Sequence, residues 1–334
     1  MIKKIILGLV VLIVLFLVGF VLYVQTFWDK KYDIAYPDLT TSTDSAVIAS
    51  GKYLVTGPAH CIDCHGGTLD DLIKAETDPT MPLKGGLVIP MAPMGTLTMP
   101  NLTPDLETGI GRYDDKEIFR MLRHSVKPDG TATMNPMMRF TDMADQDLVA
   151  IVSYLRSTQP IPNKVPEPEY NFMGKMFRVT LPLFSPVFDP EPWPEAPPIA
   201  PTIERGEYLA RAVANCVGCH TNRDMATFEA IGPEYAGGLE GEPTPEINEK
   251  LGVDPNVWTR SPNITPHPNS ALSKFKTVES WIARFRQGRL VPTSPMHWGP
   301  FSRMSDEDLE ALWLYLNSLE PVENDVGETV FVKE

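Results

Sequence analysis

The sequence predicts an all-α protein in which two tandem helical domains follow an N-terminal transmembrane helix. Three observations predict this fold class. The first is an uncharged apolar run at residues 5–24, and the second is an internal repeat that covers most of the remaining chain. The third is the spacing of apolar residues three and four apart near the end of each repeat copy. A length of 334 residues also fits about two domains.

The N-terminal segment, residues 1–27, is predicted to be a membrane anchor. Its run IILGLVVLIVLFLVGFVLYV is about as long as the ~20 residues that a helix needs to cross the hydrocarbon core. A cleaved signal peptide has a shorter apolar region followed by a small-residue cleavage site, which does not follow this run. Lys3 and Lys4 precede the run, so the positive-inside tendency places the N-terminus in the cytoplasm. We expect a single-pass protein of the inner membrane whose later domains are periplasmic.

Residues 28–44 are predicted to be a short linker that connects the anchor to the first domain.

The whole chain has 43 acidic and 29 basic residues, which gives a net charge of −14. Nucleic acid requires a face rich in lysine and arginine to neutralise its phosphates. The charge therefore argues against a nucleic acid partner.

The two predicted domains are copies of one internal repeat. The first copy, residues 45–158, contains in order CIDCH, LKGGL, MPNLTP, PMMRF and DQDLVAIVSYLRS. The second copy, residues 202–320, contains in order CVGCH, YAGGL, SPNITP, PMHW and DEDLEALWLYLNS. Each copy is predicted to have a first helix, a loop rich in glycine and proline, a middle helix, a methionine loop and a closing helix. We refer to the copies as unit 1 and unit 2.

Helix-capping patterns and apolar periodicity support these helices. Asp114 with Glu117, and Ser305 with Asp308, have the spacing of capping boxes at helix starts. The closing helices carry an apolar stripe with a spacing of three or four residues, which predicts a buried face. Its members are Leu148, Ile151, Val152 and Leu155 in unit 1 and Leu309, Leu312, Trp313 and Leu316 in unit 2.

The segment between the units, residues 159–201, contains twelve prolines and is predicted to be an extended linker. Within it, residues 170–188 are too apolar for a free linker, and charged residues and proline interrupt them, so they do not span a bilayer. They are expected to pack as a strap in the seam between the units, with contact to the membrane surface or to a partner subunit as the alternative. Residues 321–334 are predicted to be a C-terminal tail.

The four cysteines lie in two C-x-x-C-H motifs, CIDCH at 61–65 and CVGCH at 216–220, which is the attachment signature of c-type haem. On a short helix, residues at i, i+3 and i+4 share one face. Two thiols can then bond the haem vinyl groups while the histidine meets the iron from the same side. A single such motif would also fit a redox dithiol or half of a zinc site. Two motifs with no cysteine left over predict two covalently bound haem c groups.

A haem iron that is bound by one histidine has a second axial face, and Met/His ligation is typical of an electron carrier. Outside the two motifs there are four histidines. His60 directly precedes the first motif and cannot reach the opposite face. His124 and His267 have no histidine at the matching position of the other unit. His297 is the remaining histidine candidate, and Met296 precedes it.

The methionine loops permit two alignments of the repeat. Aligning Pro136 with Pro295 pairs Met138 with His297 and keeps this histidine as a candidate. Aligning the aromatic residues pairs Met138 with Met296, so that both units have a methionine, one variable residue and then an aromatic residue. The second alignment is favoured, because one fold used twice is expected to hold its iron in the same way twice.

From the C-x-x-C-H motifs to the closing helices, both units resemble the c-type cytochrome subunits of bacterial membrane-bound alcohol, aldehyde and sugar-acid dehydrogenases. The stretches that carry the resemblance are GTLTMPNLTPDLETGIGRY at 95–113, SPNITP at 261–266 and SRMSDEDLEALWLYL at 302–316. The resemblance extends over nearly all of residues 45–320 and implies two tandem cytochrome c domains. Members of that family commonly carry three haem units, whereas this chain has two motifs.

The resemblance also implies the axial ligands. In that family a loop of the type P-x-M-P-aromatic supplies the axial methionine, which corresponds to Met138 and Met296. The chain departs from this pattern because Arg139 and His297 stand where the family usually has proline. The predicted haem-binding residues are Cys61, Cys64, His65 and Met138 in unit 1 and Cys216, Cys219, His220 and Met296 in unit 2.

These observations predict a membrane-anchored electron carrier that works between a dehydrogenase or quinol-side donor and a respiratory acceptor. Its expected partners are the membrane and redox proteins such as a dehydrogenase, a cytochrome or an oxidase. No catalytic acid, base or nucleophile is required, so an electron-transfer protein or a subunit of an oxidoreductase complex is favoured over a stand-alone enzyme. One alternative is a dihaem enzyme of the peroxidase or thiosulfate-oxidising type with an open haem face. A second alternative is a cytochrome subunit of a terminal oxidase complex.

Overall fold

The computed structural model describes residues 1–134 and 140–333 and shows a mostly helical protein. Helix α1 (Ile2–Phe27) is long and apolar enough to cross a membrane by length and composition, and almost all of its side chains are exposed. This is the helix that the apolar run at 5–24 predicts. Val24, near its C-terminal end, is buried.

The helices of unit 1 follow the predicted order, with α2 before the C-x-x-C-H motif and α6 at the end. They are α2 (Ser45–Thr56), α3 (Ile62–His65), α4 (Leu69–Ala75), α5 (Asp115–His124) and α6 (Asp145–Ser157). The predicted capping box at the start of α5 is confirmed, because Asp114 and Glu117 each bond the other's backbone amide. The predicted stripe Leu148, Ile151, Val152 and Leu155 is buried.

The segment after unit 1 forms α7 (Phe172–Thr180), which lies against the C-terminal end of α1. Arg178 donates from Nε to the Trp28 carbonyl over 3.1 Å, and from Nη2 to the Ala132 carbonyl over 3.0 Å. The Lys175 ammonium lies 4.8 Å from the centre of the Trp28 ring. The strap expected in the seam between the units is thus fastened to α1 and to unit 1.

Unit 2 repeats the helical order of unit 1, with additional turns. Its helices are α8 (Ile203–Tyr208), α9 (Cys216–Cys219), α10 (Pro245–Lys250), α11 (Val278–Arg286), α12 (Trp298–Phe301) and α13 (Asp306–Ser318). Helix α8 continues as a π-helical turn, Leu209–Val213. Ser305 caps α13 as predicted, whereas the Asp308 side chain binds Arg205.

Two small three-stranded antiparallel sheets lie within this helical fold, in contrast to the all-α prediction. They are formed by β1 (Val88–Met91), β2 (Gly95–Thr98) and β3 (Glu169–Tyr170), and by β4 (Glu240–Gly241), β5 (Val257–Arg260) and β6 (Val330–Val332). The strands have two to four residues, which is too short for an alternating apolar pattern to show in the sequence. Strands β3 and β6 come from the predicted linker and the predicted tail, so both segments fold back onto the preceding unit.

The first and closing helices of each unit cross in close contact, and a glycine lies at each crossing. A Cβ atom on Gly51 of α2 would lie 1.9 Å from the Ala150 carbonyl oxygen of α6. A Cβ atom on Gly206 of α8 would lie 2.0 Å from the Ala311 carbonyl oxygen of α13. Only glycine permits this approach, because the obstacle is backbone. The crossings therefore fix the frame on which each C-x-x-C-H motif is held.

Unit 1 and unit 2 contact each other through a reciprocal pair of hydrogen bonds. The Tyr53 hydroxyl of unit 1 donates to Asp308 of unit 2 over 2.6 Å. The Tyr208 hydroxyl of unit 2 donates to Asp147 of unit 1, also over 2.6 Å. Tyr53 and Tyr208 occupy equivalent positions of the two repeat copies. Asp147 and Asp308 also occupy equivalent positions. The contact therefore has approximate two-fold symmetry.

Candidate haem sites

Cys61 directly precedes the short helix α3 and Cys64 lies within it, whereas Cys216 and Cys219 are the first and last residues of α9. The C-x-x-C-H spacing places the two cysteines of each motif on one turn. All four are free thiols. Burial raises the pKa of Cys61, Cys64 and Cys216 to about 12, and it raises the pKa of Cys219 as well. Thiols in this state are not activated for redox exchange, which depends on the thiolate.

The histidines of the two motifs make the same hydrogen bond in both units. The Nδ1 of His65 donates to the Pro100 carbonyl over 2.8 Å, and the Nδ1 of His220 donates to the Pro262 carbonyl over 2.9 Å. Burial lowers the pKa of both imidazoles below the ordinary value, which favours the neutral ring. A neutral imidazole whose Nδ1–H is bound to a carbonyl presents Nε2 to a metal, in a defined orientation.

Paired glycines hold the proline carbonyl and the histidine backbone together. The amide of Gly85 donates to the His65 carbonyl over 2.8 Å, and the amide of Gly237 donates to the His220 carbonyl over 2.8 Å. Both glycines have positive φ values, +69° and +74°. A Cβ atom on either would lie 2.5 Å from the carbonyl carbon of the proline that binds the histidine. The repeated G-G-L stretch therefore sets the histidine geometry.

The N-x-T-P stretch fastens the same proline from its other side. Asn101, directly after Pro100, donates from Nδ2 to the Ile161 carbonyl over 2.8 Å. Asn263, directly after Pro262, donates from Nδ2 to the Val322 carbonyl over 2.8 Å. These carbonyls belong to the chain just after each closing helix. The motif thus links the end of each unit to its histidine.

In unit 2 an apolar cavity of about 250 Å³ lies beside the C-x-x-C-H motif. Cys216 and His220 line it, and so does Met296. The other lining side chains include Ile264, Leu272, Phe285, Trp298 and Leu316. The structure therefore brings together three of the four residues that the sequence predicts for this site.

The cavity residue Met296 is held by a tight turn. The Trp298 amide donates to the Met296 carbonyl over 2.8 Å, and the Trp298 indole donates to Ser294 Oγ over 3.1 Å. The Arg284 guanidinium lies 3.6 Å from the centre of the Trp298 ring. These contacts fix the loop that carries the thioether at the cavity wall.

The neighbouring residue His297 contacts unit 1. Its Nδ1 donates to Asp63 Oδ2 over 2.8 Å, and its ring stacks on the His60 ring. Asp63 lies inside the first C-x-x-C-H motif, and His60 directly precedes it. Of the two loop residues, Met296 is thus the one that lines the cavity.

In unit 1 the predicted ligand Met138 lies outside the described residues, and so do Met137 and Arg139. Cys61, Cys64 and His65 are described and have the same local arrangement as their counterparts in unit 2. The axial methionine of unit 1 therefore stays a prediction.

Other candidate histidines have separate hydrogen-bond partners. His124 donates from Nδ1 to the Val187 carbonyl over 2.8 Å, and Nδ1 of His267 accepts from the Asn269 amide over 3.3 Å. Within residues 1–134 and 140–333 there is no group of three or more His, Cys, Asp or Glu side chains arranged to hold a metal ion. A zinc site built from the cysteines is therefore not supported in that part of the chain.

The donor set fits a covalently attached haem. Each motif offers two free thiols and a neutral imidazole with an oriented Nε2, and in unit 2 an apolar cavity with a thioether lies beside them. The sequence did not single out Pro100 and Pro262, which orient the imidazoles. The signal was available, because a proline precedes N-x-T-P in both repeat copies.

Residues 48–159 match the cytochrome c family model. The chain is 28% identical over 306 residues to the cytochrome c subunit of the quinone-dependent alcohol dehydrogenase of Gluconacetobacter polyoxogenes, which covers 87% of this chain and 60% of that protein. It is also 28% identical to the gluconate 2-dehydrogenase cytochrome c subunit of Pantoea cypripedii, over 87% of this chain and 63% of that subunit. The chain thus spans about three fifths of the length of these curated relatives.

A shorter relative matches most of its own length. It is the diheme cytochrome c-type protein of Cereibacter sphaeroides, 25% identical over 272 residues, which are 79% of this chain and 83% of that protein. These matches extend over both repeat units, whereas the family model covers unit 1. The chain contains a cytochrome c domain and is similar to the cytochrome c subunits of bacterial dehydrogenases.

Proposed function

We propose that this chain, which contains a cytochrome c domain, is a membrane-anchored dihaem cytochrome. It passes single electrons between a dehydrogenase or quinol-side donor and a respiratory acceptor. The observation that carries the proposal is the repeated site: in both units the histidine of C-x-x-C-H donates from Nδ1 to a proline carbonyl. In unit 2 this histidine and Met296 line one apolar cavity.

Each unit binds one haem c through its own residues. The cysteines that attach the haem are Cys61 and Cys64 in unit 1 and Cys216 and Cys219 in unit 2, and the iron ligands are His65 with Met138 and His220 with Met296. When bound, the haem supplies a one-electron couple between ferric and ferrous iron. The protein supplies attachment through the thiols and an imidazole oriented by Pro100 or Pro262, and in unit 2 it supplies the apolar wall of the cavity.

The anchor is α1, with the N-terminus in the cytoplasm and both units in the periplasm. Lys3 and Lys4 support this orientation, because basic residues favour the cytoplasmic side. At the other end of α1, Trp28 contacts Tyr170 and Lys175, and aromatic residues of this kind favour the membrane–water boundary. Both haem sites then lie on the periplasmic side of the membrane.

The redox partner is a dehydrogenase. Support for this comes from the relatives, which are named as cytochrome c subunits of alcohol and gluconate dehydrogenases and as a cytochrome subunit of fructose dehydrogenase. Purification from membranes in mild detergent is expected to recover a dehydrogenase together with this chain. If that dehydrogenase reduces the haem when its own substrate is added, and no reduction occurs without it, the partner is identified.

A haem count tests the central proposal. The haem content of the purified protein, measured as the pyridine haemochrome and divided by the protein concentration, is expected to be two per chain. Replacing Cys216 and Cys219 together with alanine is expected to leave one, and replacing Cys61 and Cys64 gives the matched control for the other site. A content of one haem in the unaltered chain would contradict the dihaem proposal.

A ligand-binding test addresses the electron-carrier role. If a methionine fills the second axial face of each iron, carbon monoxide is expected to bind the reduced protein slowly and incompletely at neutral pH. Rapid binding to one haem would contradict this proposal and indicate an open site suited to chemistry on a small substrate.

A membrane fractionation tests the anchor. The full chain is expected to stay in the membrane fraction after a high-salt wash and to dissolve in detergent, whereas a chain that lacks residues 2–27 is expected in the soluble fraction. Mass spectrometry of the membrane-bound protein is expected to find residues 2–27 still attached. Their absence from haem-loaded protein would show that the segment is a cleaved signal.

A further inference from the structure

The loop that carries Met296 in unit 2 is docked onto the haem-attachment segment of unit 1. The contact is formed by two histidines, His297 and His60, whose ring centres lie 3.9 Å apart with an angle of 19° between the ring planes. One directly follows Met296, and the other directly precedes Cys61. The two candidate haem sites are therefore joined by a stacked pair of side chains.

Hydrogen bonds and a third ring hold this pair in place. His297 donates from Nδ1 to Asp63 Oδ2 over 2.8 Å, and His60 donates from Nδ1 to the Pro58 carbonyl over 3.1 Å. The Phe301 ring meets both imidazoles edge-on, at 5.7 Å from His60 and 5.9 Å from His297. His60 is thus oriented by a carbonyl of its own unit, whereas His297 is oriented by a carboxylate of unit 1.

The loop around the stack is fastened to unit 1 as well. Arg303 donates from Nη1 to the Thr56 carbonyl over 3.0 Å, and Arg289 donates from Nε to Glu76 over 2.8 Å. A Cβ atom on Gly299 would lie 2.7 Å from the Cα atom of Glu76, so the two backbones are in direct contact. The position of Met296 therefore depends on a surface that unit 1 provides.

The stack does not have the form of a metal site. Two parallel imidazoles in face-to-face contact direct their nitrogen lone pairs within the ring planes, so they do not converge on one ion. In the described ranges, this pair also does not belong to any group of three or more His, Cys, Asp or Glu side chains arranged to hold a metal ion. The arrangement is suited to holding one loop against another.

We propose that His60 and His297 are positioning residues that couple the two haem sites, because they hold the Met296 loop of unit 2 on the attachment segment of unit 1. The inference rests on the proposed haem-binding function. Its particular consequence is that a residue next to the haem motif of unit 1 controls how firmly Met296 stays on the iron of unit 2. A residue with a purely local packing role in unit 1 would not have this effect.

Imidazole titration of the oxidised, haem-loaded full chain tests the proposal. Added imidazole displaces an axial methionine, and the loss of the long-wavelength sulfur-to-iron absorption band reports this displacement. The part of the band that Met296→Ala removes identifies unit 2. In His60→Ala and in His297→Ala, we expect this part to be displaced at an imidazole concentration about tenfold lower than in the unaltered chain, which corresponds to about 1.4 kcal/mol.

A double-variant comparison separates the stack from two independent effects. If the two rings act as one contact, His60→Ala combined with His297→Ala shifts the imidazole midpoint no further than the larger of the two single changes. His297→Phe keeps a ring for stacking but loses the bond to Asp63, and we expect it to lie between His297→Ala and the unaltered chain. His267→Ala is the matched control and is expected to leave the midpoint unchanged.

The outcomes are distinguishable. A normal imidazole midpoint for unit 2 in His60→Ala, in protein that carries two haems and the full absorption band, would overturn the coupling. If the midpoint shift of the double variant equals the sum of the two single shifts, the stack is not the cause of the coupling. Protein without covalent haem, or with no sulfur-to-iron band in the unaltered chain, would instead overturn the proposed function. Thermal unfolding of each variant verifies that a shifted midpoint comes from a folded protein.

Discussion

Met296 and His297 are neighbours in the chain but serve different parts of the molecule. The Met296 side chain lines the apolar cavity of unit 2, whereas His297 donates to Asp63 in the first C-x-x-C-H motif. The sequence favoured the methionine through the alignment of the repeats and could not assign a role to the histidine. That role depends on the docking of the two units, which no local pattern encodes.

Alanine substitutions distinguish the roles of Met296 and His297. If both irons have Met/His ligation, Met296→Ala removes about half of the sulfur-to-iron absorption band of the oxidised protein, because it removes one of two axial thioethers. His297→Ala leaves the band in place without added ligand. Absorption spectra of the two variants at equal haem concentration provide the measurement. Loss of the band in His297→Ala with none in Met296→Ala would show that the histidine is the ligand.

Asp147 gives a pH-dependent prediction. Burial raises its pKa above the ordinary value of 3.8, although the Tyr208 hydroxyl donates to it and Arg205 is nearby. The folded protein therefore keeps this proton to a higher pH than the unfolded chain does. Its contribution to stability is complete below about pH 4 and is lost as the pH rises through the pKa of the folded state. The loss is about 1.4 kcal/mol for each unit by which the folded-state pKa exceeds the unfolded-state pKa.

Asp147→Asn removes this titration while it keeps an oxygen that can accept from Tyr208. The free energy of unfolding of the unaltered chain, minus that of Asp147→Asn, is expected to fall as the pH rises from 3.5 to 7. Denaturant titrations at several pH values measure this difference. Glu246→Gln changes an exposed carboxyl and serves as the control. A difference that is constant or that rises with pH would contradict the assigned direction.

At the scale of elements, the helices were predictable and the sheets were not. The capping box at Asp114 lies within one helical turn, and the apolar stripes that begin at Leu148 and at Leu309 each lie within one helix. Because these features depend only on residues close together in the chain, the sequence pattern predicts them directly. Strands β3 and β6 pair across long stretches of chain and have two and three residues. Their pairing depends on where the closing helices end, and short strands carry no periodic signal.

The helix crossing at Gly206 leaves no room for a side chain. Gly206→Ala places a methyl group against the Ala311 carbonyl oxygen, which belongs to the backbone of α13 and cannot turn aside. We expect the free energy of unfolding to fall by about 1–3 kcal/mol or more, because α8 and α13 must separate. Thermal or denaturant unfolding of the haem-loaded protein measures the change.

Gly232→Ala is the matched control for this crossing. A Cβ atom there would lie 3.7 Å from the Asn222 Cβ, an ordinary contact distance. We expect a change of less than about 1 kcal/mol. Equal effects at Gly206 and Gly232 would show that the crossing is not the constraint.

For the whole molecule, the sequence predicted two copies of one unit but not how they meet. Tyr53 and Tyr208 were unassigned in the sequence, because a tyrosine on a first helix has the same pattern whether it faces its own unit or the other. The structure places each hydroxyl on the aspartate of the opposite closing helix. The same interface includes the stack of His60 on His297, so the docking of the units and the geometry of the Met296 loop are linked.

The hydrogen bonds of Tyr53 and Tyr208 are expected to contribute unequally to the free energy of unfolding. Asp308 also accepts two hydrogen bonds from Arg205, over 2.7 and 2.9 Å, so it stays paired when Tyr53 loses its hydroxyl. Asp147 depends on Tyr208 in a buried setting, and loss of that donor leaves a desolvated carboxyl. Tyr208→Phe is expected to lower the free energy of unfolding by about 1.5–3 kcal/mol and Tyr53→Phe by about 0.5–1.5 kcal/mol.

Parallel unfolding titrations of the two phenylalanine variants test this order, and each variant is the control for the other because both remove one hydroxyl from the same interface. The imidazole midpoint of unit 2 adds a second readout, since weaker docking of the units loosens the loop that His297 holds on unit 1. We expect this midpoint to fall to a lower imidazole concentration in Tyr208→Phe than in Tyr53→Phe. A larger loss of stability in Tyr53→Phe would mean that Arg205 does not sustain Asp308, and the asymmetry of the interface would then have another origin.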